Sequence, residues 1–72
     1  MANYIVQEIQ TNNGTTALVT PQIFTDRNQA DSAYFTVLAA AAVSQVEEHS
    51  VLMYMSDGKV VRCDGYNHTV QE

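Results

Sequence analysis

Seventy-two residues are enough for one small hydrophobic core and leave no room for a second. Apolar residues make up 46 % and charged residues 15 %, a balance too apolar for a disordered chain, and the single cysteine, Cys63, rules out an intramolecular disulfide. Eight acids against three bases give a net charge of −5, which works against nucleic acid and anionic membrane surfaces as partners.

Residues 3–10 combine aromatic and β-branched side chains with rough alternation and run into Asn13-Gly14, so a strand followed by a hairpin turn is expected. Asn-Gly suits the positive φ angles of a type I′ turn, and residues 15–23 are therefore read as an antiparallel return strand. Pro21 offers no amide to a ladder, which places that strand at a sheet edge or ends it there.

Asp26 is a candidate N-cap with Gln29 three residues on, and a helix is expected from there to about residue 44 or 45. Ala30, Ala33, Tyr34, Val37, Leu38 and Ala41 recur at helical spacing and form the stripe that would lie on the sheet. Residues 45–50 read as a polar connection and residues 51–55 as a third strand. Asp57-Gly58 reads as a second hairpin turn, residues 60–63 as a fourth strand, and residues 64–72 as a tail that opens on the turn dipeptide Asp64-Gly65 and frays towards its end.

The fold class expected is α+β. The order is ββαββ, with a four-stranded antiparallel sheet and one helix packed on one face, as a single domain over 1–72 ordered from about residue 3 to 66.

Such a domain has more apolar side chains than one helix-on-sheet contact hides. Leu52 and Tyr54 alternate with Val51, Met53 and Met55, so both faces of the third strand are apolar, and Tyr4 and Val6 stand opposite Ile5 and Ile9 on the first. Phe35, Ala39, Ala42 and Val46 form a second stripe beside the helix core. The surface expected to meet another molecule is therefore Tyr4, Val6, Phe35, Ala39, Ala42, Val46, Leu52 and Tyr54. A homo-oligomer, a dimer in its simplest form, supplies the support that a small core without disulfide or metal needs.

No catalytic, cofactor-binding or metal site is expected. Cys63, Asp64 and His68 match no zinc spacing, and a structural site takes four ligands. Cys63 is expected as a small buried side chain in its strand, and Glu47-Glu48-His49 as a solvated loop. The glycines stand in turn dipeptides, so no phosphate loop is present. Convergence of nucleophile, base and oxyanion donors is missing, which argues against an enzyme. No stretch approaches the ~18 apolar residues of a membrane span, and residues 1–4 show no basic region leading into an apolar run, so a protein kept in a reducing cytoplasm is expected.

Tyr4-Ile5-Val6-Gln7-Glu8-Ile9-Gln10-Thr11, Asp26-Arg27-Asn28-Gln29-Ala30 and Leu38-Ala39-Ala40-Ala41-Ala42-Val43-Ser44 resemble a family of small uncharacterised proteins of Firmicutes phages and prophages. The resemblance runs from Tyr4 to about His68 and carries no site residues with it. It implies a viral setting, in the host cytoplasm or in the virion. Two jobs follow: a minor particle component, or an inhibitor of a host defence that occludes a host protein or sequesters a nucleotide signal. A nucleotide site would have only Arg27, Lys59 and Arg62 to draw on.

Overall fold

A computed structural model describes residues 3–68. The chain forms β1 (Tyr4–Asn12), β2 (Thr15–Leu18), β3 (Gln22–Phe24), α1 (Arg27–Ala42), β4 (Glu48–Met55) and β5 (Val60–Asn67). The class is α+β, as expected, but the sheet has five strands rather than four.

The extra strand comes from a break. β2 and β3 lie on the same side of β1, pairing with its far and near ends. Five steps along β1, from Ile9 to Tyr4, face six steps along the return strand, from Leu18 to Phe24, so one residue is in excess. Pro21 sits in the gap, where its missing amide costs no ladder bond. Gln7 Nε2 reaches across to donate to the carbonyl of Val19 and closes the opening.

The remaining strand order is β2-β1-β4-β5, all antiparallel. Asn13 and Gly14 take φ angles of 53° and 77°, the pair of left-handed residues that the β1–β2 turn calls for. Gly58, at φ 92°, makes the β4–β5 turn, where Met55 donates to the carbonyl of Lys59 at 2.8 Å.

Gly65, read from sequence as part of a turn, lies inside β5 opposite Ser50. A Cβ there would stand 2.6 Å from Ser50 Cβ, so glycine is required by close approach of the two strands rather than by a turn. The strand extends past its expected end at Cys63 to Asn67, and residues 69–72 of the expected tail lie outside the described residues.

Asp26 caps α1 by accepting from the Asn28 amide at 3.4 Å. The helix ends at Ala42, two or three residues before its expected end, because the carbonyl of Ala41 is taken by donors outside the helix. These are the Ser44 amide at 3.3 Å, the Ser44 hydroxyl at 3.3 Å and a His68 ring nitrogen at 2.9 Å. The helix lies on one face of the sheet. Ala30 and Tyr34 pack against Val6, Val51 and Met53 in a core whose members are at most 2 % exposed, flanked by Tyr4, Phe24, Ala33, Val37, Leu38 and Val61.

Candidate functional site

The register of β1 on β4 decides what the other face of the sheet presents. Val6 pairs with Met53 and Tyr4 with Met55, so these four point toward the helix, while Ile5 pairs with Tyr54 and Gln7 with Leu52 on the reverse side. Ile9 pairs with Leu18, and Ile5 with Ile23, which puts both partners on that reverse side as well. Residues 18 and 23 have opposite parity. They share a face only because the excess residue at the β2–β3 break restores the phase.

The uncovered face thus gathers Ile5, Ile9, Leu18, Ile23, Leu52 and Tyr54, none of which belongs to the core cluster. Leu18 is 67 % and Ile23 63 % exposed, whereas Ile5, Ile9, Leu52 and Tyr54 are half-buried by one another and by their neighbours. Val60, paired with Tyr54 past a bulge in β5, is also exposed.

This geometry corrects part of the surface expected from sequence. Val6 is a core residue, 2 % exposed, and Tyr4 packs on the core beneath the Arg27 guanidinium, 5.9 Å from its ring. Leu52 and Tyr54 do lie on the uncovered face, in company with Ile5 and Ile9 rather than Tyr4 and Val6. Phe35 is half exposed on the opposite side of the molecule, edge-to-face with Tyr34 at 5.3 Å, and the Arg62 guanidinium stands 5.0 Å from its ring. Ala39 is exposed, while Ala42 and Val46 are half-buried at and beyond the helix end. Two of the eight expected residues, Leu52 and Tyr54, share the uncovered face; Tyr4 and Val6 belong to the helix-covered face, and Phe35, Ala39, Ala42 and Val46 lie on the helix or just beyond it.

Two polar arrays lie on the helix side. His49 was expected in a solvated loop; instead it belongs to β4 and is 4 % exposed. Its Nε2 donates to Glu8 Oε2 at 2.5 Å, and its Nδ1 lies 2.8 Å from Ser44 Oγ. Gln10 Nε2 donates to the same Glu8 oxygen at 2.9 Å. Burial by itself raises the Glu8 carboxyl, but the hydrogen bonds from Gln10 and His49 and the charge of His49 outweigh it and hold the group below the usual carboxylate value.

The array is closed in either protonation state of His49. A neutral ring accepts from the Ser44 hydroxyl, and a charged ring donates to it while the hydroxyl turns to the Ala41 carbonyl. A serine, a histidine and an acid in a row carry the groups of a nucleophilic relay. Here the imidazole is buried, and the array ties the end of α1 to β1 and β4.

In the second array the Tyr34 hydroxyl donates to Asp64 Oδ2. Burial, then the hydrogen bond to Asp64 and the charge of that carboxylate, push the phenol above its ordinary value, against a smaller opposing effect of Arg62. Cys63, expected as a buried side chain, is exposed on the uncovered face, because β5 is the last strand of the sheet.

Among the described residues no three His, Cys, Asp or Glu side chains converge as a metal site would need. A shallow hollow at the end of β4 and β5 is lined by Glu48, His49, Ser50, Gly65, Tyr66 and Asn67. No helix of the described chain is long and apolar enough to cross a membrane. No family model, curated protein or solved structure matches the chain.

Proposed function

We propose that this protein is a non-enzymatic phage or prophage component that works through protein–protein contacts as a homo-oligomer, with the uncovered face of its sheet in the contact. The observation that carries the reading is the asymmetry of the sheet. One face is covered by α1, and the other presents Ile5, Ile9, Leu18, Ile23, Leu52 and Tyr54 with no element of the described chain over them. An antiparallel sheet with one wet face normally alternates apolar with polar side chains. Apolar side chains gathered on an uncovered face, here around Gln7 and Ser50, support an interaction site there.

The core is small, and a chain of this length gains about 3–5 kcal/mol from it at best, so association also meets a need of the fold. The phage setting rests on the three sequence segments that resemble such proteins.

Replacing Ile23 with Asp tests the reading. The side chain is already exposed in the single chain, so folding stability is expected to change by no more than about 0.5 kcal/mol. Light scattering should then show a smaller particle than the unaltered protein forms. An unchanged particle mass would remove the uncovered face from the contact.

A further inference from the structure

We propose that β5 is a pairing edge, at which a second copy of the chain adds its own β5 antiparallel and continues the sheet across a two-fold axis. The inference rests on the homo-oligomeric reading above and names where one contact of that oligomer is made.

The two edges of the sheet differ. On the β2/β3 side the edge is split into strands of four and three residues and interrupted at Pro21, which is how sheets commonly protect an edge from further pairing. On the β5 side the edge is one strand of eight residues, and beyond its bulge at Val61 residues 62–67 run in unbroken register. Hydrogen bonds in an antiparallel ladder alternate, each residue turning both its backbone groups to one neighbour or the other.

The His68 amide bonds the Glu47 carbonyl at 2.6 Å, and this fixes the phase: Tyr66, Asp64 and Arg62 turn their backbone groups inward to β4. Cys63 and Gly65 turn theirs outward. Both are exposed, and Gly65 has no side chain to obstruct an approaching strand.

Charges on an edge usually repel a second strand, but here the pattern complements itself. With Cys63 on the two-fold axis, Cys63 faces its own copy as a hydrogen-bonded pair, Arg62 faces the partner's Asp64, and Asp64 faces the partner's Arg62. Both ion pairs fall at non-hydrogen-bonded positions, where side chains stand closest. Moving the axis one residue either way sets Arg62 against the partner's Arg62 or Asp64 against the partner's Asp64, like charges directly opposite. Among the described residues the ion pairs are Arg27–Asp31 and His49–Glu8; Arg62 stands over the Phe35 and Tyr34 rings, at 5.0 and 5.5 Å, with no carboxylate partner of its own. An axis of this kind stands perpendicular to the sheet. Both helices then lie on one side, and the two uncovered apolar faces join into one surface on the other.

Cys63→Pro isolates the edge. Proline removes only an amide that β4 does not use and is tolerated on edge strands in that position. Sedimentation velocity of the unaltered chain, Cys63→Pro and Ile23→Asp separates the outcomes. Halved mass in Cys63→Pro, with the far-ultraviolet circular dichroism unchanged, is the result expected. An unchanged mass in folded Cys63→Pro overturns the edge contact, even where Ile23→Asp lowers the mass and so leaves the uncovered face in place. A chain that is monomeric without any substitution overturns the homo-oligomeric reading itself.

If Cys63→Pro does not fold, the native thiol decides. Across a hydrogen-bonded antiparallel pair the Cα atoms lie about 5.5 Å apart, within disulfide reach. Mild oxidation of the unaltered oligomer should give a Cys63-linked dimer at a rate that does not fall on dilution while the oligomer persists. Failure to cross-link, or cross-linking that slows in proportion to dilution as chance encounter does, overturns the proposal.

Discussion

Glu8 on β1 and His49 on β4 meet diagonally across the sheet, Oε2 to Nε2 at 2.5 Å, beneath the end of α1. They tie together two strands that are far apart in sequence, and Ser44 extends the tie to the helix end. Because the carboxyl of Glu8 is held below its usual value when folded, it takes up protons more readily in the unfolded chain. Its contribution is therefore present at pH values above the ordinary carboxylate value of 4.5 and is lost as the pH falls through the lower, folded value. Urea midpoints measured from neutral to acid pH should drop over that window. Glu8→Gln should lower the neutral-pH stability by about 1.5–3 kcal/mol and flatten that part of the acid limb.

Tyr34 fills the centre of the core and reaches Asp64 with its hydroxyl. Tyr34→Phe keeps the ring and returns Asp64, which is exposed, to water, so a loss of about 1 kcal/mol is expected. Tyr34→Ala empties the core and costs about 3–5 kcal/mol, as much as so small a core supplies, so that variant should be unfolded by circular dichroism. The phenol has the opposite sign to Glu8. Its folded value is raised, so its contribution is complete below the ordinary value of 10.0 and is lost as the pH rises through the folded one. Ultraviolet titration should show one of the tyrosines ionising last, together with alkaline unfolding.

Gly65 is the position where inspection of the sequence gives the wrong prediction. Alanine in a strand is ordinarily no worse than glycine, but here its Cβ would lie 2.6 Å from Ser50 Cβ and 3.2 Å from the His49 carbonyl oxygen. Gly65→Ala should therefore destabilise the chain by about 1–3 kcal/mol in thermal or urea unfolding, as overpacking does.

The elements themselves were legible in local chemistry. Asn13-Gly14 and Asp57-Gly58 mark their turns, Asp26 marks the helix start, and the spacing from Ala30 to Ala41 marks the buried stripe. The faces were not. Alternation within β1 separates Tyr4 and Val6 from Ile5 and Ile9, and alternation within β4 separates Met53 from Leu52. Which set of one strand joins which set of the other depends on a register between positions 37 to 51 residues apart. The same holds for Leu18 and Ile23, whose common face needs the excess residue beside Pro21, and for His49, whose acid partner lies on a distant strand.

Phe35 and Ile23 divide the two candidate surfaces between them, one on the helix and one on the reverse of the sheet. Phe35→Asp should leave the particle mass unchanged, because the uncovered face is intact, while Ile23→Asp lowers it. Val6→Asp should do neither and simply unfold, since it places a carboxylate in a core position that is 2 % exposed. Size-exclusion chromatography with light scattering on the three variants distinguishes these results.

The central claim, that this chain works in company with copies of itself, is tested most directly by sedimentation velocity of the unaltered protein over a dilution series. A particle of two or more chains that dissociates on dilution, or that holds together throughout, is the result expected. A single species at the mass of one chain at every concentration, folded and soluble, would contradict it.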